Sequence, residues 1–306
     1  MRGLPQPERL VPRLLRDALL STPAPLPPAP PAAVRVVLGG VSLRLHDPHG
    51  LGAEVWAAWA PYCGCDREGG AEGSAEGSAE GEWTLTLEPL PALPAGGAPP
   101  SAPPSYTRAD LRVWLDAERR AARAEVDGSW GAAEACAQVT LQRALRAAGG
   151  LLVHASAAVE RDAAGGERGW LIPGASGAGK STAAREGGFA RVLTDELVAL
   201  LLRADGGVDL YPTPFWSEGR DPTRFPLQTR PAPLALIALP RKDARPRLSP
   251  VGAAEAARAL LRCVVSYEEG REAHAALLEL CCEVAERAPC AALHFPKRGP
   301  WLSALR

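Results

Sequence analysis

Nine consecutive residues, Gly174, Ala175, Ser176, Gly177, Ala178, Gly179, Lys180, Ser181 and Thr182, carry the densest chemical signal in the chain. They spell Gly-x-x-x-x-Gly-Lys-Ser, the spacing of a loop that wraps backbone N–H groups around the phosphates of a nucleotide. In such a loop the lysine reaches the terminal phosphates and the next hydroxyl sits on Mg²⁺, which assigns those parts to Lys180 and Ser181. Glycine is needed where the backbone turns through conformations closed to side chains and where phosphate must come close. A helix starting at the end of the loop points its N-terminus, and the positive end of its dipole, at the anion. The chain has only three lysines, Lys180, Lys242 and Lys297, against 31 arginines. A lysine here therefore selects a compact point charge over a planar fork. A glycine-rich turn without a ligand is the plainer alternative. The complete motif favours a nucleoside triphosphate, with ATP and Mg²⁺ as the expected pair.

Phosphoryl transfer also asks for carboxylates. Asp195 and Glu196 follow Lys180 by fifteen and sixteen residues, just after the apolar Val192 and Leu193. One carboxylate near a phosphate loop holds Mg²⁺ or its waters, and another can orient the nucleophile. Both are expected at the mouth of the nucleotide site; an exposed turn pair is the alternative. His154 precedes Gly174 by twenty residues, in an apolar strand. It is either a core histidine or an imidazole near the γ-phosphate that orients substrate or takes a proton. Residues 213–218, Thr-Pro-Phe-Trp-Ser-Glu, read as a substrate-facing loop. Arg220 and Arg224 are candidates for stabilising transferred charge, among many surface arginines. Cys63 and Cys65, with His46 and His49, invite a zinc reading, but Cys-x-Cys is not a usual zinc spacing and free thiols are expected. Cys281 and Cys282 read as helix-packing residues.

These residues need strands and helices to hold them. Residues 130–148 show helical periodicity, and Gly149-Gly150 closes them as a C-terminal cap. Residues 151–159 read as a buried strand, 160–168 as a polar hairpin loop, and 170–172 as the strand that enters the phosphate loop. After the loop, a short helix over about 182–185 and a strand pair over 191–200, interrupted by the two acids, complete an α/β arrangement. Further on come a strand at 234–239, helices at 252–264 and 271–288, and a last strand at 291–295. Upstream, 34–46 reads as strands broken at Gly39-Gly40, 51–59 as a helix, 83–87 as a strand ended by Glu88-Pro89, and 111–115 with 121–126 as a hairpin. Residues 1–20 read as an amphipathic helix and 21–31 as a proline-rich extended linker. The Ala-Glu-Gly repeat of 71–81 and a second Pro/Ala/Gly-rich gap to about 104 read as loops. Three parts are expected: residues 1–31, a small α+β region at 32–128, and the phosphate-loop domain at 129–306.

Composition narrows the function classes. A net charge of −1 with 23% charged residues argues against broad binding to nucleic acid or a membrane surface. No apolar run approaches the ~20 residues of a membrane span. Seven scattered cysteines, an odd number, point to a reduced, cytoplasmic chain.

The chain resembles the HPr kinase/phosphorylase-like family, whose phosphate-loop fold is akin to phosphoenolpyruvate carboxykinase. The resemblance rests on Leu152-Val153-His154-Ala155-Ser156-Ala157, the loop Gly174 to Thr182, Leu193-Thr194-Asp195-Glu196 and Thr213-Pro214-Phe215. It covers about 130–306 and is nearest to the compact relatives that lack the long N-terminal domain. The resemblance implies an α/β fold with a mixed sheet around a P-loop core. It also implies ATP-dependent phosphorylation of a serine-type hydroxyl on a protein, peptide or small molecule. By it, Asp195 takes the place of the catalytic acid/base carboxylate, and Glu196 replaces the second aspartate of the common pair. Ser181, Asp195 and Glu196 would serve Mg²⁺, and His154 matches the family histidine ahead of the loop. Two departures stand out. The P-loop helix is shortened, so the sheet is expected to pack loosely there, and the segment that engages HPr is not recognisable. A nucleotide-binding regulatory or scaffold module, or a P-loop ATPase or metabolite kinase of another family, stays open. So does homo-oligomerisation.

Overall fold

The structure is a computed structural model that describes residues 33–38, 41–62, 82–90, 103–217 and 223–305. The expected N-terminal helix and linker, the Ala-Glu-Gly tract, Cys63, Cys65 and Arg220 lie outside the described residues. Within them the protein is α/β, with two mixed sheets and five α-helices.

Gly39-Gly40 separates β1 (Ala33–Leu38) from β2 (Val41–His46) in sequence, and the two strands pair antiparallel. β3 (Trp83–Pro89) runs parallel to β2 and buries Trp83, Leu85 and Leu87 on alternate positions. It continues through Pro89 instead of stopping at Glu88. Pro89 occupies the exposed last position opposite Val126, where the missing N–H costs little. α1 (Ala53–Ala58) follows β2, and β4 (Tyr106–Arg108), β5 (Leu111–Asp116) and β6 (Ala121–Val126) complete the sheet in the order β1-β2-β3-β6-β5-β4.

α2 (Trp130–Ala147) starts where the Ser129 hydroxyl accepts a hydrogen bond from the Ala132 amide at 3.3 Å. The helix packs against β2, β3, β5 and β6, and also against the first strand of the second sheet. Its buried alanines, among them Ala132, Ala133, Ala137 and Ala144, add little side-chain bulk between the two sheets it touches.

The second sheet is organised by one long strand, β7 (Gly150–Arg161). β8 (Glu167–Pro173) covers one edge. On the other edge, β10 (Leu197–Leu202) pairs with residues 150–154, and β9 (Arg191–Thr194) pairs with 157–159. β9 and β10 thus share one edge of β7, with Asp195 and Glu196 between them. β11 (Val208–Pro212), β12 (Ala232–Lys242), β13 (Arg247–Pro250) and β14 (Cys290–Phe295) extend the sheet in the order β11-β10-β7-β8-β12-β14-β13. β8 divides its side chains by alternation: Leu171 joins the face covered by α4 (Ala253–Leu261) and α5 (Arg271–Arg287), while Trp170 and Ile172 face the other way. Cys281 is fully buried in the α4–α5 core with Cys282 packed against it, as expected of helix-packing thiols.

The helix after the glycine loop 174–179, α3 (Lys180–Glu186), is seven residues long. The loose packing expected beyond so short a helix does not occur. Trp301, from the single-turn helix Trp301–Leu305, lies 5.6 Å from Phe189 and 6.0 Å from Phe295 between ring centroids, and Phe189 lies 5.4 Å from Trp170. This cluster covers the sheet face that the helix leaves bare. Among the described residues no helix is long and apolar enough to cross a membrane.

If the aromatic cluster substitutes for the missing turns of α3, Trp301→Ala should cost about 3–5 kcal/mol of unfolding free energy. Urea denaturation followed by circular dichroism measures this. A loss below about 1 kcal/mol would mean that the cluster is not a packed core.

Candidate functional site

The loop 174–179 joins the end of β8 to the first residue of α3. Gly177 (φ 75°) and Gly179 (φ 97°) adopt the left-handed backbone that glycine takes without strain. A Cβ on Gly179 would stand 2.9 Å from Phe295 Cζ, so the ring of the aromatic cluster lies directly against the loop. Lys180 is 6% exposed. Its Nζ donates a hydrogen bond to the Ala175 carbonyl at 3.3 Å, and it forms no ion pair among the described residues. Burial pulls this ammonium below the ordinary lysine range, and the nearby carboxylates, Glu196 foremost, only partly oppose it.

The acidic pair is placed by the break between β9 and β10. The Ala155 amide donates to the Glu196 carbonyl at 3.1 Å, and the Ser156 hydroxyl donates to the Asp195 carbonyl at 3.3 Å, so β7 holds the bend from its own edge. The bend sends the two carboxylates to different surroundings. Asp195 is fully buried. Its Oδ1 accepts from the Ser217 amide at 3.1 Å, its Oδ2 accepts from the Ser217 hydroxyl at 2.8 Å, and Arg185 is its ion-pair partner. Glu196 is half-exposed, with Oε1 3.0 Å from His154 Nε2. That hydrogen bond, with the nearby charges of His154 and Lys180, holds its carboxyl below the usual range against the opposing effect of burial.

A cleft of about 770 Å³ opens over the loop, walled by His154, Glu196, Lys180, Ser181, Ser217 and Phe295. Lys242 and Lys297 line it too, so every lysine of the chain faces this one cleft. None of the three forms an ion pair among the described residues, although many of the arginines do. Asp243 also lines the cleft, but its carboxyl is already engaged: Arg247 donates to it at 2.6 Å and the Arg245 amide at 3.2 Å, and its pKa is lowered to about 2.

Of the residues singled out from sequence, the structure brings Ser176, Gly177, Gly179, Lys180, Ser181, Thr182, His154 and Glu196 together around the cleft. Asp195 sits behind it, and Ser217 stands between its carboxylate and the opening. The expectation that both acids stand at the mouth therefore holds for Glu196 alone. Thr213 and Phe215 are buried anchors: Thr213 donates to the Leu197 carbonyl, and the Phe215 carbonyl accepts from the Thr194 hydroxyl at 2.8 Å. They pin the 213–217 segment across the acidic bend. Arg224 pairs with Glu186 at 3.1 Å and is not part of the cleft wall.

Sequence reasoning gave no site role to Arg185, Lys242 or Lys297, and took Ser217 only as part of the 213–218 loop. Arg185 had a usable signal, since it follows Ser181 by four residues and so shares its face of α3. The Ser181 hydroxyl donates to the Asp195 carbonyl at 3.4 Å, and Arg185 reaches the same residue's carboxylate. For Lys242 and Lys297 the signal was their scarcity.

Among the described residues no group of three or more His, Cys, Asp or Glu forms a metal cage. The Ser181 hydroxyl and Glu196 carboxylate, both on the cleft wall, are hard oxygen donors that suit Mg²⁺ completing its shell with nucleotide phosphates and water. No protein-family model matches the chain, and no curated protein matches it significantly.

The Arg185–Asp195 pair is a buried carboxylate with one compensating cation. Arg185→Met should destabilise the fold by about 3–5 kcal/mol, because the buried carboxylate left behind keeps its Ser217 hydrogen bonds but loses its counter-charge. Arg185→Met combined with Asp195→Asn should recover part of that loss, since the amide can still bond Ser217. Urea unfolding of both variants tests this. A double variant no more stable than Arg185→Met would rule out the stranded charge as the cause.

Proposed function

We propose that this protein binds ATP with Mg²⁺ in the cleft over residues 174–182 and transfers the γ-phosphoryl group to a serine-type hydroxyl, with a P-loop core of the HPr kinase type. The observation that carries the reading is the cleft's set of three lysines, none of which forms an ion pair among the described residues. A buried ammonium without a counter-charge is costly, and Lys180 is such a group at the floor of a glycine loop. Lys242 and Lys297 line the same walls, and the two wall carboxylates are engaged elsewhere, Glu196 with His154 and Asp243 with Arg247, so a triphosphate would supply a counter-charge for the lysines.

Each residue then has a part. Lys180 and the loop amides hold the β- and γ-phosphates and neutralise the charge that develops on them. Ser181 and Glu196 would hold Mg²⁺, whose chemistry is to bridge phosphate oxygens and offset their charge. His154 fixes the Glu196 carboxylate through the 3.0 Å contact. Asp195 orients the acceptor hydroxyl and takes its proton. Support for this part comes from the Ser217 hydroxyl, which already rests on Asp195 Oδ2 at 2.8 Å and shows that an alcohol fits there. A loose phosphoryl-transfer transition state asks more for orientation than for basicity, so the Arg185 partner does not disqualify the carboxylate. The acceptor is a protein, peptide or small molecule, and the protein acts in the cytoplasm.

The enclosure of Asp195 also favours a second reading, a nucleotide-binding module with little catalysis. ATP that is bound but never converted to ADP would select it.

Two measurements test the proposal. Lys180→Met keeps the buried stem and removes the desolvated charge, so its melting temperature without ATP should match or exceed wild type. The ATP-dependent rise that mass action gives the wild type should be lost. A variant that keeps the full rise would refute binding at Lys180. Asp195→Asn should lower γ-phosphate transfer by about 100-fold or more, as removal of a positioned base does, and undiminished transfer would remove Asp195 from its part.

A further inference from the structure

Ser217 occupies the position that a phosphate acceptor would need. Its Oγ donates to Asp195 Oδ2 at 2.8 Å and accepts from Arg185 Nη2 at 2.9 Å, while its amide donates to Asp195 Oδ1 at 3.1 Å. The residue is therefore fixed at three points, two on its hydroxyl and one on its amide. It also lines the same cleft as Lys180, Ser181 and the loop glycines. A tether that only braced Asp195 would not need to face the cleft. An external alcohol could reach Asp195 Oδ2 only by displacing this one.

We infer that Ser217 is itself a phosphate acceptor, and that the protein phosphorylates its own Ser217 from ATP; the inference rests on the kinase reading above. In the step, Ser217 Oγ forms a bond to the γ-phosphorus while the bond from that phosphorus to the β,γ-bridging oxygen breaks. ADP leaves with the bonding pair, and the hydroxyl proton passes to Asp195 Oδ2. The product places a phosphate dianion beside Arg185, which already contacts the oxygen that carries it. A guanidinium forms charge-assisted hydrogen bonds to such a group. The modified side chain would occupy the approach to Asp195, so phosphorylation of Ser217 would close the site to other acceptors.

The test uses the full chain, treated with phosphatase and then incubated with ATP and Mg²⁺, with phosphopeptide mapping by mass spectrometry and a parallel melting-temperature measurement. The expected result is one phosphoryl group on Ser217, with a rate constant that does not change as the protein is diluted. Ser217→Ala should yield no such peptide, and Ser217→Thr should yield phosphothreonine at the same position. Asp195→Asn should slow the modification about 100-fold or more. A wild-type chain that shows the ATP-dependent rise in melting temperature yet leaves Ser217 unmodified would overturn the inference and spare the nucleotide reading. Modification at other residues only, or a rate that falls on dilution, would do the same. A chain with no ATP-dependent rise would overturn both.

Discussion

One edge of β7 is shared by two strands, and the site depends on the gap between them. Because β9 and β10 both pair with β7, the two residues joining them cannot continue a regular ladder. Asp195 and Glu196 are held there by bonds from Ala155 and Ser156 to their carbonyls. The bend between the strands gives the two side chains different surroundings. The result is one buried carboxylate, compensated by Arg185 and Ser217, and one cleft carboxylate, compensated by His154. Two acids adjacent in sequence thus acquire different environments, and with them different chemistry.

The glycine loop 174–179 is fastened from the opposite direction. Gly179 has no room for a side chain because Phe295 lies against it, and Phe295 belongs to the aromatic cluster that covers the sheet beyond α3. Burial of large rings therefore stabilises the fold and also sets the position of the loop. Lys180 is the cost: a desolvated ammonium held without an ion pair. Such local destabilisation is what a preorganised anion site requires, since a counter-charge from the protein would have to be displaced by the ligand.

Much of this was legible in the sequence, and the losses have physical causes. The period-2 alternation of residues 83–87 and the helical periodicity of 130–148 are local signals, and both elements formed near the expected bounds. β11 and β13 were missed because strands of five and four residues carry too little pattern. The shortness of α3 was readable from Gly187-Gly188, but its packing depended on Trp301, more than a hundred residues away, so the expectation of loose packing failed. At the site, the loop and the acid pair stood out by spacing. Arg185 did not, because one arginine among 31 reveals its partner only when α3 faces the bend. The separation of Asp195 from Glu196 was not legible, because both lie in a bend where strand alternation does not apply. Cys63, Cys65 and Arg220 lie outside the described residues, so the readings made for them stand as expectations.

The central claim is that the cleft with the chain's three lysines holds a triphosphate. A crystal structure of the chain with Mg²⁺ and a non-hydrolysable ATP analogue tests it most directly. The predicted result has the β- and γ-phosphates within hydrogen-bond reach of Lys180 Nζ and the amides that follow Gly177, with Mg²⁺ beside Ser181. A triphosphate bound elsewhere on the chain, with Lys180 still bonded only to the Ala175 carbonyl, would contradict the account.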